Sequence, residues 1–284
     1  MRDADSRARF AVLASGEGAP VELDEAAVLV AAEYSTAVDL EAVRGELDGL
    51  ARTALARIPA HADDHTRIDA LVETLAHDAG FRGNTREYHD PRNSFLNEVL
   101  ARRRGIPITL SVVYLEVARR IGLPLVGVSF PGHFLVRYPG PAAPVILDAF
   151  SAGAKVSEAS LVQRLCRGVR GGLDRPEARR MLSRLLTGAS VREIVVRMFG
   201  NLKAIFLEQQ DHGRALVAVD RILVLAPDEP SELWARAVLH HRLEAHRAAL
   251  ADYQRYLALM PGDPDARAIR QIIVDLTRRV EQLH

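Results

Sequence analysis

From Leu23 to about His77 apolar residues recur at helical spacing, as in LDEAAVLVAAEY and DLEAVRGELDGLARTALARI, and the pattern predicts about three helices. The following FRGNTREYHD has few apolar residues and carries Gly83 and Asn84, which predicts a loop. Asp90-Pro91 supplies an N-cap with proline at the first helical position, and Phe95, Leu96, Val99 and Leu100 make an apolar stripe that runs to Gly105, so one helix is expected there. Pro107 starts another, in which Leu110, Val113, Tyr114, Val117 and Ile121 repeat at helical spacing until Gly122 and Pro124 stop it. With so few polar positions, this second helix is expected to be largely buried.

Strand patterns are confined to LVGVSF, HFLVRY and VILDAF, which are separated by Pro-Gly and by PGPAAP and suggest an antiparallel meander. Helical spacing returns from Ser157, and Ser190 and Glu193 stand in capping-box spacing at the head of a long helix. Farther on, ALVAVDRILVLAPDEP and ALADYQRYLALMPGDP align without gaps, placing Pro227 over Pro261 at a period of 34 residues. Paired helices at that period resemble tetratricopeptide repeats, with copies at about 201–230 and 232–264 and a last helix to cap them.

Composition narrows the possible partners. Lys+Arg and Asp+Glu both number 37 in the 284 residues, so no basic excess favours nucleic acid or an anionic membrane. The longest stretch without Asp, Glu, Lys or Arg, from Ile121 to Val136, is too broken by glycine and proline to span a bilayer as a helix. The mixed-charge start MRDADSRARF is unlike a secretory signal, and the single cysteine, Cys166, suits a reducing compartment, so the cytoplasm is the expected location. In SLVQRLCRG, Cys166 reads as a small buried helix residue rather than a reactive thiol.

The candidate chemistry lies between Arg102 and Phe150. Acyl transfer needs a nucleophile at a buried helix start, a histidine base and a carboxylate to orient the imidazole. His133 is expected to open one strand and Asp148 to lie near the end of the next, within reach across PGPAAP. No cysteine stands in this region. Asn93 and Asn97 are expected to share one helix face, where an amide could donate to an oxyanion or hold a peptide backbone, although capping or an internal polar contact also accounts for them. His61 and His65, at i, i+4, lack a third ligand in any recognisable motif, so no metal and no cofactor is expected.

The run from Asp90 to Phe150 resembles the transglutaminase-like superfamily. More narrowly, NSFLNEVLARRRGIPITLSVVYLEVARRIGLPL, FPGHFLVRY and ILDAF, followed by the repeats, resemble the bacterial SirB-type family from about residue 25 onward. The resemblance implies that His133 and Asp148 match the superfamily histidine and aspartate, and that its cysteine position falls at or beside Pro107. Proline cannot attack a carbonyl, so the implied thiol is missing. Ser111, four residues on, shares the face of Pro107 and is the candidate substitute, whereas Thr109 points to roughly the opposite side.

The expected fold is α+β and mostly helical: a transglutaminase-like, papain-like core with a small antiparallel sheet, followed by all-α tetratricopeptide-type repeats. The expected division is residues 1–187, with the core at about 90–150, and residues 188–284. The expected function is a degenerate transglutaminase-like module that binds protein or peptide, with Asn93, Asn97, Pro107 and Thr109 as candidate binding positions and no nucleic acid or membrane partner. The rival reading is a peptide or amide hydrolase or acyltransferase in which Ser111 or a water attacks under the control of His133 and Asp148.

Overall fold

A computed structural model of the protein describes residues 3–35, 38–140, 144–168 and 173–282. It is α+β and mostly helical, and it divides into two compact units, 1–198 and 199–284. The division falls inside a helix rather than ahead of it near Gly188, because that helix spends its first turns in the core of the first unit, where Ile194 and Val195 are buried.

In the first unit, α1 (Asp3–Ser15), α2 (Leu23–Ala32), α3 (Leu40–Leu55) and α4 (Asp64–Val72) form the N-terminal helical part. Helix α4 continues into a π-turn, Glu73–Asp78. The loop expected at FRGNTREYHD contains a two-residue strand, β1 (Arg82–Gly83), paired in parallel with β2 (Arg104–Gly105). Between them the single helix expected from Pro91 to Gly105 is broken. Pro91–Ser94 is a 3-10 turn capped by Asp90, Phe95 is extended (φ −102°, ψ 121°), and α5 runs only over Leu96–Arg102. Helix α5 stops at Arg103, whose φ of 57° is left-handed and whose guanidinium lies 4.6 Å from the centre of the Phe81 ring. Gly105 belongs to the strand pair instead, and its carbonyl accepts from Asn84 N at 3.0 Å.

Helix α6 (Pro107–Arg120) is the centre of this unit: every residue from Pro107 to Ala118 is buried. It packs against α2, α3, α5 and the sheet. Gly122, at φ 71°, lets the chain turn back so that Leu123 N donates to Ala118 O at 2.9 Å. The chain then forms β3 (Val126–Val128), β4 (Leu135–Tyr138), β5 (Val145–Asp148) and β6 (Ala154–Lys155), an antiparallel sheet in sequential order. The centre of the PGPAAP turn lies outside the described residues. Helices α7 (Glu158–Gly168) and α8 (Arg175–Leu185) close over Val128, Leu135 and Ile146, with Cys166 half-buried against the same apolar cluster.

The second unit begins in the later turns of α9 (Val191–Glu208) and continues with α10 (His212–Leu225), α11 (Pro230–Arg242), α12 (His246–Leu259) and α13 (Ala266–Gln282). Successive helices pack in order, and Trp234 stands edge to face against Tyr253 at 5.4 Å between ring centres. Arg236 bridges Asp220 at 3.0 Å and Asp252 at 2.7 Å, tying the helix pairs together. No helix among the described residues is long and apolar enough to cross a membrane.

Burial of α6 brings charge with it. Glu116 of α6 and Asp24 of α2 are each 1% exposed. Arg120 donates to Asp24 at 2.8 Å, to Asp48 at 2.7 Å and also to Glu116, while Arg119 reaches Glu116 at 2.9 Å. Burial pushes the Asp24 carboxyl up, but the Arg120 bond, the Glu25 N–H and the nearby Arg44 outweigh it and hold it below the usual range. Its contribution to stability is therefore present above the unfolded carboxyl value near 4 and is lost as pH falls through the lower folded value. Arg120→Ala, which strands Asp24 and Glu116, is expected to destabilise the protein by about 3 kcal/mol in urea titrations. Asp24→Asn is expected to flatten the loss of stability on acidification, measured as urea midpoints between pH 7 and pH 3.

Candidate functional site

The site is assembled where β5 ends and β4 is about to begin. Asp148 is the last residue of β5. His133 does not open a strand as expected: it sits two residues before β4, in the turn Phe130-Pro131-Gly132, where Gly132 takes φ 70° and His133 N donates to Phe130 O at 3.0 Å. The β4–β5 register, Val136 against Leu147, carries the two residues to the same end of the hairpin, with His133 Nε2 2.9 Å from Asp148 Oδ1. The two atoms stand within hydrogen-bonding distance of each other.

Asp148 is well supplied with donors. Its Oδ1 accepts from the backbone N–H of Phe150 (3.1 Å) and Ser151 (3.3 Å), and its Oδ2 accepts from Ser151 Oγ (2.9 Å). Burial pushes its carboxyl up, but His133 and Ser151 together outweigh this and hold it below the ordinary range. Burial and the charge of Asp148 push the Tyr114 hydroxyl up, so it stays protonated; a Cβ at Gly153 would lie 3.1 Å from its oxygen.

An aromatic wall stands beside the histidine. The Phe150 ring lies edge-on to His133 at 6.1 Å and 84°, and Tyr88 lies edge-on to Phe150 at 6.0 Å. Phe150 occupies the space that a side chain at 83 would fill: a Cβ there would be 2.5 Å from the ring, and Gly83 N donates to Phe150 O at 3.0 Å. Tyr88 carried no recognisable signal in the sequence, and Gly83 signalled only a loop. Phe150 carried one, as the residue two beyond the aspartate in ILDAF.

The other candidates from the sequence fall at different places. Pro107 is the first residue of α6 and is buried. Ser111 is fully buried, and its Oγ has no hydrogen-bond partner, so it does not bond to His133. No hydroxyl or thiol among the described residues hydrogen-bonds to His133. Thr109 Oγ donates to Asn93 O at 2.6 Å and accepts from Ile106 N at 3.2 Å, which caps α6 from within. Asn93 is equally committed. Its Nδ2 donates to the carbonyls of Glu87 (2.6 Å) and Tyr88 (3.2 Å), and its Oδ1 accepts from Asn84 (3.1 Å) and Arg102 (3.4 Å). Asn97 shares no helix face with Asn93 because extended Phe95 lies between them; its Oδ1 is buried without a partner. Asn93 and Thr109 therefore hold the segment that carries Tyr88 to the start of α6. His65 packs edge-on to Tyr138 at 6.1 Å, and no cluster of three His, Cys, Asp or Glu suited to a metal occurs among the described residues.

Known proteins match the chain along most of its length. A family described as the transglutaminase-like superfamily matches residues 41–200, and one described as tetratricopeptide repeat matches residues 202–273. The chain is similar to a UPF0162 protein of Xylella fastidiosa strain Temecula1, 40% identical over 77% of this chain and 76% of that one. It is similar to a UPF0162 protein of Vibrio cholerae, 30% identical over 88% and 90% of the two chains. Mouse F-box only protein 21 is 31% identical over 62% of this chain, which spans 28% of that protein.

Two results are expected. Asn93→Ala, which leaves several buried partners unpaired, is expected to destabilise the protein by about 2–4 kcal/mol and to speed amide hydrogen exchange between residues 84 and 90. His133→Ala is expected to move the Asp148 carboxyl titration toward higher pH, followed by carbon NMR; an unmoved titration would mean that the His133 contact does not set the carboxylate's state.

Proposed function

Because the chain belongs to the transglutaminase-like superfamily, and within it to the SirB-type family, we propose that it is a cytoplasmic module that holds a protein or peptide segment in the old acyl-transfer cleft without cleaving it. The observation that carries this reading is the isolation of the His133–Asp148 pair: Ser111 Oγ is sealed in the core and makes no bond to the imidazole. A serine hydroxyl has a pKa far above that of a thiol and attacks only when an aligned base removes its proton. Ser111 lies one helical turn, roughly 5 Å, deeper than Pro107, where the family resemblance puts the cysteine. The carboxylate, imidazole and edge-on aromatic rings leave a polar floor and an apolar wall, a combination suited to an extended peptide. The tetratricopeptide repeats supply a second surface of a kind that commonly holds protein segments.

One observation favours a hydrolytic alternative. A His–Asp contact of 2.9 Å with the carboxylate kept ionised is the arrangement that lets an imidazole deprotonate a water, which would then attack an amide or ester. The two readings are separated on the full chain with capped fluorogenic peptide amides and activated esters, alongside binding of random hexapeptide pools. The binding module is expected to give no turnover that differs between wild type and His133→Ala, and to lose about ten-fold in peptide affinity in Phe150→Ala. Turnover abolished in His133→Ala would replace it with the hydrolase.

A further inference from the structure

Arg197, on the first-unit part of α9, reaches back to the turn that carries His133. Its guanidinium donates to Ser129 Oγ and to Phe130 O, each at 3.5 Å. Phe130 O is also the acceptor of His133 N, so the guanidinium and the histidine backbone share one carbonyl and stand within about two hydrogen-bond lengths of each other. The His133 ring in turn stands edge-on to Phe150, and Phe150 to Tyr88, so the guanidinium lies at the turn from which the aromatic wall begins.

The charge is poorly satisfied there. Arg197 has no carboxylate partner among the described residues, and both of its acceptors are neutral and at the outer limit of hydrogen-bond length. Arg67, which also lacks a carboxylate, is tied more tightly, donating to Ile121 O at 3.1 Å. Arg197 is half-buried, so water does not fully make up the difference. A guanidinium is planar and presents paired N–H donors that fit a carboxylate bidentately. The ring of Tyr88, 40% exposed at the far end of that wall, offers apolar surface for a neighbouring residue of the same segment.

We propose that Arg197 is a specificity residue of the cleft, which selects peptide segments bearing a carboxylate next to an apolar residue: the carboxylate pairs with Arg197 and the apolar side chain lies against Tyr88 and Phe150. The carboxylate is that of an acidic side chain or of a chain terminus, the same chemistry from two sources. A nucleic-acid phosphate fits less well, since a phosphate track calls for a run of cations and the chain has no net charge, with 37 basic and 37 acidic residues. The inference rests on the cleft's being a peptide site, as proposed above.

The test uses the immobilised full chain and random hexapeptide pools, all N-acetylated and lacking acidic residues at their random positions. One pool has a fixed Glu and an amidated end, one a fixed Gln and an amidated end, and one a fixed Gln and a free carboxylate. The Glu pool or the free-carboxylate pool is expected to bind about ten-fold more tightly than the neutral amidated pool, the size of one charge-assisted bond, and which of them does so identifies the source. Arg197→Gln, checked for an unchanged melting temperature, is expected to erase the difference while neutral binding persists; Tyr88→Ala is expected to weaken all pools alike. Equal binding of charged and neutral pools by wild type, or discrimination that survives in Arg197→Gln, overturns the role of Arg197 and leaves the peptide cleft standing. Failure of every pool to bind overturns both.

Discussion

The rest of the first unit depends on the all-round burial of α6, whose residues from Pro107 to Ala118 are all shielded from water. A helix satisfies its own backbone except at its ends, so complete burial of its sides turns every question of polarity into a question about termini. At the start, Pro107 removes one N–H that would otherwise need a partner, and Thr109 closes the first turn through Ile106 N and Asn93 O. At the finish, Gly122 takes the left-handed conformation that returns the chain to Ala118. Each fully buried leucine or valine between these ends contributes about 2 kcal/mol, and that sum draws the helical layer and the sheet onto the same cylinder.

The two ends of α6 serve different purposes. Beyond the last buried turn, Arg120 spreads its donors over Asp24, Asp48 and Glu116, so carboxylates that would be prohibitively costly alone become tolerable together. At the other end the groups that close the helix, Thr109 and Asn93, are neutral, with the Arg102 guanidinium on Asn93 Oδ1, and they join α6 to the segment carrying Tyr88. Asp148 and His133 arrive from elements later in the chain.

Legibility in the sequence followed the range of the forces involved. The buried helix, the antiparallel strands and the 34-residue repeat are written in local periodicity, and the family resemblance rests on motifs contiguous in the chain. What escaped was set by partners far away. Helix α5 stops at Arg103 because Phe81 offers its ring and because Gly105 is claimed by Gly83, neither of which is visible from the stripe of Phe95, Leu96, Val99 and Leu100. The internal polar contact open to Asn93 is made with the 84–88 loop and the end of α5, partners that its helical spacing does not name. His133 and Asp148 could be paired from strand order, but the aromatic wall depends on Gly83 having no side chain, a fact that acquires meaning only once Phe150 is seen above it.

Retention of the His133–Asp148 pair does not by itself require chemistry. The pair sits where the β4–β5 hairpin ends, and a carboxylate at the end of β5 that gathers Phe150 N, Ser151 N and Ser151 Oγ would shape the following turn whether or not an imidazole faced it. That turn places Phe150 against Gly83 and so orients the wall next to the histidine. The aspartate is thus a local folding device as well as the partner of the imidazole. An acyl-transfer site that lost its thiol would keep such an aspartate for the turn alone. On the binding reading proposed above, the histidine, tied to the turn at Phe130 by its own backbone, is the group left to hold a ligand by hydrogen bonding.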